Sequence, residues 1–182
     1  DSYQQHSDYW KELLSGELPV LNLPSNLKRP LLKTHNGRTL ETFISKSDTA
    51  RLKNYCQANG GSLFMGLMTS LNVLFNKYTG ETDFILGTPV AGREHNDLVE
   101  QIGCYINVLA LRNNLNFEDS FNQLFNQVKQ ATLTAFEHQY YPFDQLVEEL
   151  RLKRDTGRNP VFDAMVVLQN MTDNESVMEL ST

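Results

Sequence analysis

The chain has 182 residues, 40% hydrophobic and 21% charged, with a net charge of -6 and a pI near 5.2. That length buries about two-thirds of the unfolded surface around one core, so a single compact domain is expected, and the acidic balance excludes the clustered excess of Lys and Arg that a nucleic-acid footprint needs. No apolar run approaches the roughly 20 residues that span a bilayer, and "DSYQQHSDYW" lacks the regions of a signal peptide, so a cytoplasmic protein with no membrane partner is expected.

From Tyr3 to Leu14 the apolar residues Tyr3, Trp10, Leu13 and Leu14 predict a helix stopped by Gly16; Pro19, Pro24 and Pro30 then impose an extended crossing. This opening is expected to be a connection rather than core, and its basic stretch of Lys28, Arg29, Lys33 and Arg38 a solvated connector. Between Arg38 and Ser45, Leu40, Thr42 and Ile44 alternate with Thr39, Glu41 and Phe43, the period of a half-buried strand. Ser47 is the predicted cap of a helix that runs to about Ala58 and ends at Asn59-Gly60-Gly61.

In "SLFMGLMTSLNVLFNKYTG", Leu63, Leu67, Leu71, Leu74 and Tyr78 form one helical stripe with Phe64, Met68 and Phe75 beside it, between Ser62 and Gly80. The expected place is between a sheet and another layer; a Met-bearing stripe along a pocket is the alternative. "DFILGTPV" predicts a near-continuous apolar strand, and "CYINVLALR" a second one, expected to be central because both of its faces are mostly apolar. A helix follows from about Glu118 to His138, with Phe121, Leu124, Phe125, Val128 and Phe136 inward, and a shorter one starts near Pro142 with Phe143, Leu146, Val147 and Leu150. "VFDAMVVLQ" is the last predicted strand. Strands interleaved with helices predict an α/β sandwich with a mixed or partly parallel sheet.

Cys56 and Cys104 lie far apart with no C-x-x-C and no His at ligand spacing, which predicts reduced thiols and no metal site. His6, His35, His95 and His138 have no nucleophile partners within their own segments. Asn107 stands in the middle of an apolar strand, either as an amide satisfied within the fold or as one facing a channel. His138 ends a helix, where the dipole alone favours a histidine, and Pro142 suits a first helical turn. "RDTGRNPVFD" gathers Arg154, Asp155 and Arg158 around Gly157, which an ion pair would suffice to hold. Arg93 closes "GTPVAGR" at the mouth of a tight turn, where a positive charge calls for a reason.

"GTPVAGR", "IGCYINVLALR", "HQYYPFDQLVEEL" and "RDTGRNPVFDAMVVLQN" occur in the order and spacing of the later motifs of condensation domains from nonribosomal peptide synthetases, and the chain resembles that family over about residues 9 to 170. The resemblance implies one lobe, the C-terminal one, of a two-lobed domain of the chloramphenicol acetyltransferase-like class: an α/β two-layer sandwich whose mixed sheet is flanked by helices. Residues 1–36 would then be the N-terminal helix and inter-lobe connector, 37–170 the lobe, and 171–182 the start of a linker to the next domain. The family signature HHxxxDG is absent, so the general-base histidine is expected in a missing N-terminal lobe, leaving no catalytic residue here and the isolated chain inactive.

By the same resemblance Arg93 supports the active site, matching the arginine that pairs across the lobes with the signature's aspartate. A bidentate guanidinium would do this better than an ammonium. Asn107, Tyr105 and Asn159 become channel candidates. Gly87, Gly92, Gly103, Arg112, His138, Pro142, Phe143, Arg154, Asp155, Arg158 and Pro160 become structural members of the motifs. The chain departs from the family pattern at Tyr105, Val108, Tyr140, Tyr141, Asp144 and Gly157. No cofactor is implied on the chain itself; 4'-phosphopantetheine would come with partner carrier domains. The implied partners are the N-terminal lobe, donor and acceptor peptidyl carrier domains and an adjoining adenylation domain, and an isolated lobe is expected to form an artificial dimer through its exposed apolar surface. A coenzyme A-dependent acyltransferase and a non-catalytic interaction module are the competing readings. The opening and closing residues suggest a segment cut from a longer chain.

Overall fold

Side chains that satisfy orphaned backbone groups mark the starts of three helices. Ser45 Oγ accepts from Asp48 N at the start of α2 (Lys46–Ala58), Ser62 Oγ from Met65 N at the start of α3 (Leu63–Thr79), and Ser120 Oγ from Gln123 N at the start of a later helix, Phe121–Glu137. The expected cap Ser47 is therefore corrected to Ser45, because the serine whose oxygen meets the third helical N–H is the one that stops the chain from fraying. Gly80 closes α3 in the left-handed conformation at φ 74, which only a residue without a Cβ adopts freely.

The computed structural model describes residues 2–169 apart from 26, 35, 94, 95, 153 and 154, and omits the side chains of 2, 96 and 99. His35, His95, Arg154 and the linker expected at 171–182 lie outside the described residues. In chain order come α1 (Ser2–Leu13), α2, α3, β1 (Asp83–Val90), α4 (Asn96–Val99), β2 (Asn107–Asn114), α5 (Phe121–Glu137), α6 (Phe143–Leu150) and β3 (Ala164–Met165). β1 pairs antiparallel with β2, from Asp83 opposite Asn114 to Val90 opposite Asn107, and parallel with β3 through Leu86 and Gly87. The sheet is thus mixed, in the order β2-β1-β3, and helices flank it.

β1, not β2, is the middle strand of the described sheet. The apolar second face of β2 is explained by α5 and α6, which lie against it, rather than by a central position. β2 also begins only at Asn107, since residues 104–106 are drawn into a loop. The last strand shrinks to two residues, while Val161 and Phe162 before it are buried as packing side chains. Phe162 fills the space over Gly87, where an added Cβ would come within 2.4 Å of the ring.

The stripe expected on α3 faces the wrong way. Met65, Met68, Thr69 and Asn72 are buried, whereas Leu74 and Tyr78 are exposed, because α3 lies between α2 and α5 and reaches the sheet through Phe75, 6.1 Å from the Phe84 ring. Thr69 and Asn72 enter this interior because their side chains donate back to the carbonyls of Met65 and Met68. On α5, Phe121 is likewise more exposed than expected, and Thr132 is buried instead, bonded to the Val128 carbonyl.

Two expectations about the opening are overturned. α1 is core: Trp10 and Leu14 are each 1% exposed, and Leu21 is buried as well. The predicted strand at 38–45 is absent, and every residue of that segment is exposed, since no strand edge among the described residues receives it. No described helix is long and apolar enough to cross a membrane.

Arg112 of β2 holds α1 in place. Its Nη2 and Nε donate to Asp83 of β1 at 2.8 and 3.2 Å, and its Nη1 to the carbonyls of Leu13 and Ser15 at 3.0 and 3.2 Å. Hydrogen bonds to a charged group contribute about 1.5–3 kcal/mol. Arg112→Met is expected to lower stability by about that amount. Emission from Trp10, the single tryptophan, should then shift red at a lower urea concentration than in the unaltered chain; an unchanged midpoint would remove this role.

Candidate functional site

The Arg93 turn begins where β1 ends. Gly92 has φ 64, and an added Cβ there would stand 2.0 Å from the Tyr105 carbonyl oxygen, so only glycine lets the two ends of the 92–105 loop meet. Arg93 then turns its guanidinium into that loop. Nη1 donates to the carbonyls of Leu98 and Gln101, the latter at 2.7 Å, and Nη2 to Gly103 O at 2.7 Å. The cation lies 4.6 Å from the centre of the Tyr105 ring, whose hydroxyl donates to Gln101 Oε1 at 2.8 Å. Gly103 sits tight against the same ring, 3.0 Å from where its Cβ would be. Arg93 is thus held within its own loop.

Beside it, a cleft of about 350 Å³ is lined by Val90, Ala91, Gly92, Arg93, Phe136 and Gln139. Asn107 holds Gln139, one of the cleft's lining residues. The amide Nδ2 donates to the carbonyls of Gln139 and Tyr141, each at 2.8 Å, and Oδ1 accepts from Phe143 N at 3.1 Å. Asn107 therefore ties the start of β2 to the turn between α5 and α6. This is the reading in which its amide is satisfied within the fold. Pro142 is the residue just before α6, and Phe143 opens that helix with its ring 5.6 Å from Phe162.

Behind this turn, α1 supplies a second polar layer that local sequence patterns did not reveal. His138 Nδ1 and His6 Nδ1 are 2.9 Å apart, the His138 ring stacks on Tyr9 with centroids 4.1 Å apart, and Trp10 Nε1 donates to the His138 carbonyl at 2.9 Å. Burial pushes the His138 imidazole below its ordinary value and His6 adds to this, while Glu137 opposes it. Burial raises the Tyr9 phenol to about 12. Buried Tyr141 donates to Glu149 at 2.5 Å, and Lys11 pairs with the same carboxylate at 2.9 Å; these bonds, Tyr141's foremost, hold Glu149 at about 2.

The "RDTGR" turn forms a third group. Arg158 donates to Asp163 at 2.6 Å and to Asn22 Oδ1 at 3.0 Å, and Asp155 Oδ1 accepts from Gly157 N at 2.8 Å. The connector expected to be merely solvated is fastened here. Arg29 reaches Asp163 and Gly157 O, Lys33 Nζ donates to Asn159 Oδ1 at 2.7 Å, and Lys33 N donates to Thr156 O at 2.9 Å. Pro160, Asp155 and Arg158 line a cleft of about 530 Å³ with Val147, Glu148, Arg151, Leu152 and Thr156. The structure brings Arg93, Gly92, Gly103 and Tyr105 together and joins them through Gln139 to Asn107. Asn159, Asp155, Arg158 and Pro160 belong to the separate turn, and Gly87 and Arg112 to the sheet. Cys56 is buried and Cys104 exposed, both as free thiols. Among the described residues no three His, Cys, Asp or Glu side chains are grouped to hold a metal.

The model of the family described as "Condensation domain" matches residues 1–182. The chain belongs to the condensation domain family. It is 42% identical over 176 residues to bacitracin synthase 3 of Bacillus licheniformis, covering 97% of this chain and 3% of that protein. A solved four-domain nonribosomal peptide synthetase bound to AMP and glycine superposes with a TM-score of 0.90 at 25% identity, over 96% of this chain and 13% of that one. The X-domain from teicoplanin biosynthesis shares the fold at a TM-score of 0.84 and 23% identity, over 91% of this chain and 37% of its own. The condensation domain fold is chloramphenicol acetyltransferase-like. This chain spans a small fraction of the curated relatives it matches.

The site geometry carries two expectations. Asn107→Leu leaves the Phe143 N–H and two carbonyls without their partner and should cost about 1–3 kcal/mol in urea unfolding; a neutral result would show that the amide does not hold the turn. The His138 imidazole is depressed in the folded chain, so its contribution is complete above about 6.5, the value of an unperturbed histidine, and is lost as pH falls through the lower folded value. Trp10 emission should therefore report weakened α1 docking on acidification from pH 7.5 to about 5, and His6→Gln should flatten that dependence.

Proposed function

We propose that this chain is the C-terminal lobe of a condensation domain that joins carrier-bound aminoacyl or peptidyl groups within a multidomain nonribosomal peptide synthetase. In that reaction the acceptor amine attacks the donor thioester carbonyl. A C–N bond forms, the C–S bond breaks, the amine loses a proton and the donor carrier's thiol leaves. Both phosphopantetheine arms arrive as parts of the substrates, on carrier domains. The general base stands in the N-terminal lobe, so the present chain alone makes no product.

The observation that carries this reading is the Arg93 turn, together with the absence of HHxxxDG from a chain that accounts for 37% of a fold neighbour of the same architecture. A guanidinium has five N–H donors, more than the three carbonyls it meets among the described bonds. Tyr105 and the loop carbonyls would hold Arg93 rigidly, and an aspartate of the N-terminal lobe would dock on its remaining edge and orient the adjacent histidine. Asn107 acts one step further back, by positioning the turn whose Gln139 lines the cleft with Arg93. The residues after Arg93 would cross to the other lobe, and the lobe would end near 170.

The test extends the protein upstream and supplies loaded donor and acceptor carriers. Dipeptide should form, fall by on the order of 100-fold in Arg93→Ala as the histidine loop loses its anchor, and recover only partly in Arg93→Lys. An upstream region without HHxxxDG, and no dipeptide, would replace the catalytic reading with that of a module that recruits other proteins.

A further inference from the structure

Residues 36–45 have no regular secondary structure and run between two anchored ends. At one end Lys33 N donates to Thr156 O at 2.9 Å and Thr156 Oγ1 to Leu31 O at 2.6 Å, so the connector is pinned to the "RDTGR" turn. At the other end Ser45 caps α2, which packs on α3 through Cys56 against Gly66. Between these anchors no described backbone hydrogen bond reaches residues 36–44, and every residue is exposed. The side chains left in solvent are large and apolar: Leu40 is 93% exposed, Phe43 95% and Ile44 65%.

The pattern is that of a strand. Leu40, Thr42 and Ile44 fall on one side and Phe43, with Thr39 and Glu41, on the other. Thr39, Thr42, Phe43 and Ile44 are β-branched or aromatic, and no glycine or proline occurs from Arg38 to Ser45. A strand half-buried on its own sheet shows one polar side, but here each side carries a bulky apolar group, as in a strand covered on both faces. An unpaired edge of this kind is an aggregation liability unless something covers it.

We infer that residues 39–44 are a strand donated to the sheet of the N-terminal lobe, forming a second tie between the lobes besides the Arg93 loop. This rests on the two-lobe reading proposed above. A fold neighbour matched over 91% of this chain has about two-thirds of its own length outside the match, enough for a second lobe to receive the strand. The segment also follows directly on the connector between the lobes. Main-chain bonds would give the pairing its strength, and Leu40, Phe43 and Ile44 would fix its register and faces.

Amide hydrogen exchange tests this in two proteins, the chain as it stands and the same chain extended upstream through the whole domain. Amides 39–44 should exchange freely in the first and slow by on the order of 100-fold in the second. Thr42→Pro, which removes one N–H, should release the segment and loosen the lobes, whereas Thr42→Ala should not. If the extended protein gains protected upstream amides but 39–44 still exchange freely, the strand inference is overturned and the two-lobe reading survives. If 39–44 become protected and no dipeptide forms, the strand stands and the catalytic reading falls. Protection in the unextended chain that rises with concentration, with a dimer on gel filtration, would assign the segment to a second copy and overturn the inference.

Discussion

The interaction on which the remainder of the molecule depends is the guanidinium of Arg112. It stands in β2, binds a carboxylate of β1 and donates to the carbonyls at the end of α1, so one side chain couples both long strands to the N-terminal helix. The last carbonyls of a helix have no partners of their own, and a cation placed there also meets the negative end of the dipole. With α1 seated, Trp10 reaches the His138 carbonyl, His6 meets the His138 ring, and Lys11 and Ser7 close on Glu149 and Tyr141. The turn between α5 and α6 is thereby braced from behind. Asn107 braces it from the front.

A common device recurs at Arg93, Asn107 and Arg112: a polar side chain binds backbone carbonyls. Arg93 gathers three of them, Asn107 two, and Arg112 takes those of α1 as well as Asp83. A carbonyl belongs to the chain path and cannot rotate away, so each such bond fixes where a loop runs. That suits a lobe whose proposed task is to present a rigid face to another lobe.

Among the described residues the most exposed large apolar side chains lie outside the sheet and its helices: Leu27 and Leu31 in the connector, Leu40 and Phe43 in the segment that follows it, and Ile102 in the Arg93 loop. The last two stretches are the segments proposed to reach another lobe. Gly92 and Tyr105 keep one of these segments folded back on Arg93, and the pinned connector anchors one end of the other.

Local chemistry in the chain was enough for the helices of 46–58, 63–79, 121–137 and 143–150, the strand 83–90, and the α/β class. Caps, glycines and periodicity act over a few residues and need no tertiary context. The motif order likewise identified the family and singled out Arg93. What the sequence could not settle was which face of a helix turns inward: on α3, Thr69 and Asn72 look polar but satisfy themselves on the preceding turn, so Leu74 and Tyr78 can be left outside. It could not place β2 at the end of the described sheet, because apolar residues on both faces report covering layers and not strand order. Nor could it seat α1 in the core, pair His6 with His138 across 132 positions, or withhold a sheet edge from residues 39–44. Those were decisions of the tertiary structure, since burial, long-range pairing and strand partners depend on what lies opposite a residue in space, and an alternating pattern becomes a strand only where an edge is present to receive it.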